Sequence, residues 1–250
     1  FKLVTLAMIS ALYVGNAAAE ELQQSDLTLA TQQLELENKV EEARLAAEKK
    51  AEEERLAIEA EKLFSERFGD ISLQFKPLIA KIYVENHFSP IWTDNQAKQQ
   101  FLHDYALAIA GGISKRSANA LNAIHEAAGK GELIEDVLLT DAFLDYLFYA
   151  TNVAKSAQKW LYAGNSYKAG QLSDEQVSAW LSAVKNNDNF TFVKNLSGEN
   201  ALFKQTSARV AHVIEAGVDK HNMVELHRLA INAQRLRILP VFQDGIFVNI

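Results

Sequence analysis

The stretch LTDAFLDYLFYATNVAKSAQKWLYAGN, residues 139–165, decides the fold. Phe143, Tyr146, Leu147, Ala150, Val153, Ala157, Trp160 and Leu161 recur at helical spacing and make a wide apolar face. A face that wide belongs to a helix surrounded by other helices rather than to one lying on a surface. Thr140 is predicted to cap it, and Gly164-Asn165 to stop it.

The same reading extends in both directions. Upstream, Phe75, Leu78, Ile79, Ile82 and Tyr83 have helical spacing with Pro77 in a first turn, and Ser89-Pro90 breaks the chain. Thr93 or Asp94 can cap a helix carrying Phe101, Leu102, Tyr105 and Ile109, ended by Gly111-Gly112. A short helix follows from Ser117 to Ala128. Downstream, Ser173-x-x-Gln176 is a capping box ahead of Val177, Trp180, Leu181 and Val184. Phe190 to Leu196 is a short piece, and Leu202 to Ala216 and Met223 to Leu239 read as two further helices. The expected fold is an all-α bundle of about six to eight helices in the globular part, residues 63–240. The exception is IFVNI, residues 246–250 of the closing segment 241–250, which follows an Asp-Gly turn and reads as a single terminal β-strand.

Ahead of the bundle, residues 20–62 are rich in Ala, Glu, Lys, Arg and Leu, with Glu35–Lys39, Arg44–Glu48, Lys49–Glu53, Lys50–Glu54 and Arg55–Glu59 as opposite charges four apart. Leu29, Leu36 and Ala43 sit seven apart, but Lys50 falls where the next apolar residue is due. The segment reads as a solvated helical spacer rather than a long coiled coil. Residues 1–19 read as a signal peptide: Leu3 to Val14 is mostly apolar, too short to span a bilayer, and Ala17-Ala18-Ala19 fits a cleavage site before Glu20. Export to the periplasm is the expectation, and the opening Phe1 is consistent with a missing start.

Composition narrows the chemistry. The 250 residues include 25 basic and 32 acidic side chains, a net charge of −7, which argues against a nucleic-acid partner. There is no cysteine, which removes disulfides, thiolate metal sites and a cysteine nucleophile from these residues. The six histidines form no HExxH motif and no pair four apart, so no helical metal site is expected. GxSxG and a phosphate loop are absent. No catalytic, cofactor-binding or metal-ligating residue is therefore predicted. Trp160, Tyr162 and Tyr167 cluster near a Gly164-Asn165-Ser166 turn and could stack on sugar rings, but Trp160 is in phase with the apolar face and reads as core. The loop leaves Tyr162, Asn165, Tyr167 and Lys168 as candidates for contact with a glycan wall or a partner protein.

Four phrases in order, YVENHFSPIWTDN, LLTDAFLDYLFYATNVAKSAQKWLYAGNSYK, QRLRILP and IFVNI, carry a family resemblance. Residues 63–250 resemble the large periplasmic L,D-transpeptidases of Gram-negative bacteria, in which a helical scaffold domain precedes the catalytic β-domain. The resemblance implies peptidoglycan cross-linking. A catalytic cysteine attacks the bond after the third residue of a donor stem peptide, releases the terminal D-alanine, and passes the acyl group to an acceptor amine. No residue here matches the family's histidine–glycine–cysteine motif. The small peptidoglycan-binding module of many relatives has no room between the last two helices, where only Gly217 to Met223 intervene. The expectation is thus the non-catalytic N-terminal and scaffold part of such an enzyme, with its own catalytic domain, peptidoglycan and other periplasmic cell-wall proteins as possible partners. The alternative is a stand-alone periplasmic adaptor that binds cell-wall proteins.

Overall fold

A computed structural model describes residues 17–129, 131–219 and 222–240. The expected terminal strand, and the apolar segment of the expected signal peptide, lie outside the described residues. Among those described there are nine α-helices and no strand: α1 (Ala17–Phe68), α2 (Lys76–Glu85), α3 (Asn95–Ala110), α4 (Lys115–Ala127), α5 (Glu132–Trp160), α6 (Asp174–Lys185), α7 (Asn189–Asn195), α8 (Ala201–Glu215) and α9 (Met223–Arg237). The fold is all-α, as the spacing predicts. No described helix is long and apolar enough to cross a membrane.

The chain divides into two compact units, Phe1–Leu56 and Ala57–Ile250. In the first, α1 is exposed on every face for which side chains are described, Leu36, Val40 and Leu45 included. Among the expected ion pairs, Arg44–Glu48 stands at 3.9 Å and Lys49–Glu53 at 3.7 Å. Arg44 and Arg55 also reach back three residues to Glu41 (2.7 Å) and Glu52 (2.6 Å). Such exposed pairs contribute only about 0.2–1 kcal/mol each, so this stretch is helical chiefly through its residue propensities.

The second unit is built around α5. Phe143, Leu144, Tyr146, Leu147 and Tyr149 are buried on it, and α2, α3, α4 and α6 bury their apolar residues in the same core. Aromatic rings fill its centre: Trp92 packs on Phe101 (5.3 Å between centroids) and Phe143 (5.1 Å), and Phe143 on Trp180 (4.7 Å). A smaller apolar cluster joins α3, α8 and α9 through Leu107, Phe203, Val210, Ala230 and Ala233. Asp94 caps α3 by accepting from the Gln96 and Ala97 N–H groups, and the Ser173–Gln176 capping box on α6 is complete.

Two expected boundaries are corrected. Thr140 does not cap α5: it lies within the helix, fully buried, and its hydroxyl donates back to the Asp136 carbonyl at 3.0 Å. The helix begins eight residues earlier because Leu133, Val137 and Leu138 extend the buried face N-terminally. Likewise α4 begins at Lys115 rather than at Ser117, because Ser114 is the cap and accepts from the Ser117 N–H.

Candidate functional site

The buried face of α5 carries three aspartates as well as its apolar residues: Asp136, Asp141 and Asp145. At about 100° per residue, Asp141 and Asp145 are neighbours four apart, while Asp136 points to the opposite side of the helix from Asp145. Each holds a different part of the chain. Asp136 accepts from the backbone N–H groups of Ile91 and Trp92, both at 2.8 Å, and from the Tyr83 hydroxyl at 2.5 Å. Asp141 accepts from the N–H groups of Gln74 (2.8 Å) and Phe75 (2.9 Å), which fixes the entry into α2. Asp145 accepts from three hydroxyls, Tyr105 (2.8 Å), Ser117 (2.7 Å) and Tyr167 (2.9 Å). Burial pushes all three carboxyls above their ordinary range, and these hydrogen bonds pull in the opposite direction without cancelling it.

The second feature is the seat of α9. Arg237, buried to 9% exposure, donates through Nη2 to the Tyr146 hydroxyl (3.0 Å) and to the Leu196 carbonyl. Its guanidinium lies 5.3 Å from the Tyr146 ring centre and 5.8 Å from that of Tyr149. Tyr146 passes the contact on by donating to Asp104 at 3.3 Å, so a neutral phenol separates a buried cation from a buried carboxylate. Tyr149 donates to Gln234 Oε1 at 3.0 Å. Arg235 donates to the Leu161 carbonyl through Nε (3.1 Å) and Nη2 (3.0 Å). Asn200 serves two helices at once. Its Oδ1 caps α8 by accepting from Phe203 N–H (2.8 Å), and its Nδ2 donates to the carbonyls of Leu236 in the last turn of α9 (2.6 Å) and of Leu239 just past it (3.3 Å). Gly198 makes room for this, since a Cβ there would stand 2.7 Å from the Phe203 ring and 3.1 Å from Arg237 Cγ. The C-terminal end of α9 is therefore bound through side chains to α5, to the segment before α8 and to the carbonyl just past α5.

The candidate contact residues separate. Tyr162 is 60% exposed and lies under the Arg235 guanidinium, 4.4 Å from its ring centre. Tyr167 is 2% exposed and its hydroxyl is committed to Asp145, so it forms floor rather than contact surface. Trp160 packs on Tyr167 at 4.8 Å and is core. Asn165 and Lys168 are exposed beside a cavity of about 520 Å³ whose rim also carries Gln74, Lys115 and Arg116. Ala17 and Ala19, the expected cleavage positions, stand at the start of α1, with side chains outside those described. Sequence reading missed the three aspartates and the pair Lys115-Arg116. The signal was present, since Asp136, Asp141 and Asp145 stand among residues whose spacing marks them for burial, and a buried carboxylate needs donors.

The buried residues of α5, with carboxylates that tie loops and phenols that receive α9, define an all-α domain held together by polar as well as apolar contacts, and no catalytic constellation stands among the described residues. Residues 77–209 match the family described as "Scaffold domain", and the chain belongs to that family. It is also 45% identical over 186 residues to a protein of Haemophilus influenzae named "Putative L,D-transpeptidase". That match covers 74% of this chain and 37% of the relative, so the chain spans little more than a third of the relative's length. The family resemblance carried by the four phrases is thereby shown.

Proposed function

We propose that this chain is the non-catalytic spacer and scaffold of an exported L,D-transpeptidase that cross-links peptidoglycan, and that its task is to position the catalytic domain at the C-terminal end of α9. The observation that carries this reading is the seat of α9. A helix whose only task was to close a bundle would be served by apolar packing alone, as Ala230 and Ala233 do. Here the last turn is fixed by directed hydrogen bonds from Arg237, Arg235 and Asn200, which set rotation and register as well as depth. The thiolate that acyl transfer requires is supplied by another part of the protein, since these 250 residues contain no cysteine. Periplasmic placement comes in this reading from cleavage after Ala19, with peptidoglycan as the partner of the whole protein.

Two measurements test it. The mature protein, isolated from the cell envelope, should begin at Glu20 by mass. The full-length protein should form stem-peptide cross-links from isolated muropeptides in a thiol-dependent way. That activity should fall when Arg237→Met and Asn200→Ala are combined, with the catalytic thiol still titrating as in the parent. A full-length protein without thiol-dependent acyl transfer would refute the enzymatic part. Undiminished cross-linking in the double variant would refute the role given to α9.

A further inference from the structure

The cavity beside Asn165 and Lys168 gathers more positive charge on its rim than the one carboxylate in its wall can offset. In a chain of net charge −7, three cations gather on its rim: Lys115, Arg116 and Lys168. None of the three is in an ion pair with a described carboxylate. Burial pushes the Asp141 and Asp145 carboxyls up and the Arg116 charge draws both back down, but Asp145, the carboxylate in the cavity wall, is already engaged by three hydroxyls. Lys115 and Arg116 also occupy the first turn of α4, which has no acidic residue to offset them. A helix N-terminus carries partial positive charge, so two cations there are in the unfavourable place. Mutual repulsion of the three adds to that penalty. Selection for stability would put Asp or Glu at such positions.

The cavity is also pre-shaped. Asn165 N–H donates to the Gly112 carbonyl (3.0 Å) and Tyr167 N–H to the Ile113 carbonyl (3.3 Å), which ties the 165–168 segment to the turn that leads into α4. Tyr167, anchored on Asp145, closes the floor. Asn165 adopts φ 55°, a left-handed conformation that asparagine tolerates better than most residues. The side chains that reach the opening are one guanidinium, two ammonium groups and the amides of Asn165 and Gln74, a set dominated by hydrogen-bond donors. The cavity's ~520 Å³ lies within the usual range of small-molecule pockets.

We propose that this pocket binds an oxyanion, carboxylate or phosphate, carried by a small ligand, with Arg116 as the bidentate partner and Lys115 and Lys168 supplying the flanking charge. Bound there, an anion relieves both the repulsion among the cations and their conflict with the α4 dipole. Anion binding at this pocket is independent of the transpeptidase reading.

The test is an amide-resolved NMR titration of the 250-residue chain at low ionic strength with three probes: inorganic phosphate, N-acetyl-Ala-Ala, and the C-terminal amide of that dipeptide. At least one of the two acids should give saturable shifts confined to the amides near 115–117 and 165–168, and the amide probe none. Saturation by the peptide acid alone identifies a carboxylate ligand, and saturation by phosphate alone a phosphoryl one. The double variant Arg116→Gln, Lys168→Gln, both at exposed positions, should keep the parent's circular dichroism and melt no lower than the parent, since it relieves repulsion, while weakening binding by about tenfold or more, the loss of one charge-assisted hydrogen bond. Non-saturating shifts with both acids, equal affinity for the dipeptide amide, or undiminished affinity in the double variant would overturn the proposal.

Discussion

Replacing Asp136 by alanine isolates what a buried carboxylate does in this fold. The side chain takes three hydrogen bonds, and the donors differ in what they can do without it. The Tyr83 hydroxyl has a second partner, Thr140 Oγ1 at 2.9 Å, and can rotate toward it. The Ile91 and Trp92 N–H groups are fixed by the backbone and lie in the core. Each buried donor left unsatisfied costs about 1–3 kcal/mol, so Asp136→Ala is expected to lose about 2–6 kcal/mol. The upper end is reduced because burial raises the pKa of Asp136, which means that its ionised form is itself disfavoured in the core. Asparagine separates the contributions. It keeps one acceptor oxygen but turns an NH₂ toward the donors on the other, so its loss should be about that of one N–H, ~1–3 kcal/mol. Urea unfolding followed at 222 nm gives both values, and hydrogen exchange at the Ile91 and Trp92 amides should speed up in both variants. An alanine variant within about 1 kcal/mol of the parent would refute the account, because two orphaned core N–H groups cannot be that inexpensive.

The same contacts lead to four further outcomes. Asp145 has a folded pKa raised above the ordinary 3.8 by burial, so its contribution is fully present below that value and is lost as pH rises through the folded one. Asp145→Asn should thus cost most in acid, with the gap to the parent narrowing as pH rises; a constant gap across that range refutes it. Gly198→Ala should destabilise by about 1–3 kcal/mol, since its Cβ meets Phe203 and Arg237 in a packed region, read as a lower urea midpoint. Asn200→Ala removes the α8 cap, worth about 1 kcal/mol, and should also speed exchange at the Leu239 amide, which depends on the Leu236 carbonyl that Asn200 holds. Arg44→Ala on the exposed part of α1 should change stability by less than about 0.5 kcal/mol, whatever its two ion pairs suggest on inspection.

Helices and their apolar faces were legible in the sequence because periodicity reports burial directly. Phe143, Tyr146, Leu147 and Trp160 are buried where spacing places them, and the Ser173–Gln176 box closes as written. What periodicity misses is a polar residue that belongs inside. Thr140 looks like a cap because threonine disfavours helix interiors, yet its hydroxyl finds the Asp136 carbonyl, Tyr83 and the Trp92 Nε1–H. That satisfaction depends on residues from a distant part of the chain and cannot be read from neighbours in sequence. The loop candidates divide between core and surface for the same reason. Tyr167 resembles an exposed ring beside a turn until Asp145, Tyr149 and Trp160 come round it, whereas Asn165 and Lys168 gain meaning only beside Lys115 and Arg116, which sit on another helix.

The buried polar groups bear on why a scaffold would be built this way. Apolar contacts are non-directional, so a helix seated on leucines and alanines alone can rotate or slide at small cost. A phenol that donates to Asp104 while accepting from Arg237 admits one geometry, since the same oxygen must meet both partners. The three donors on Asp136 likewise fix the 91–92 segment against α5 in one register. Burying charges is expensive, and replacing a buried ion pair with apolar residues is often neutral or stabilising, so stability alone is a poor reason to retain Arg237, Tyr146 and Asp104. The distinction is measurable. Replacing the three together with Met, Phe and Leu should leave the urea midpoint near or above that of the parent while loosening the end of α9, seen as faster exchange at amides 236–239. A variant with a much lower midpoint would show that the network mainly stabilises; one with unchanged exchange would show that apolar packing alone sets the exit of the chain.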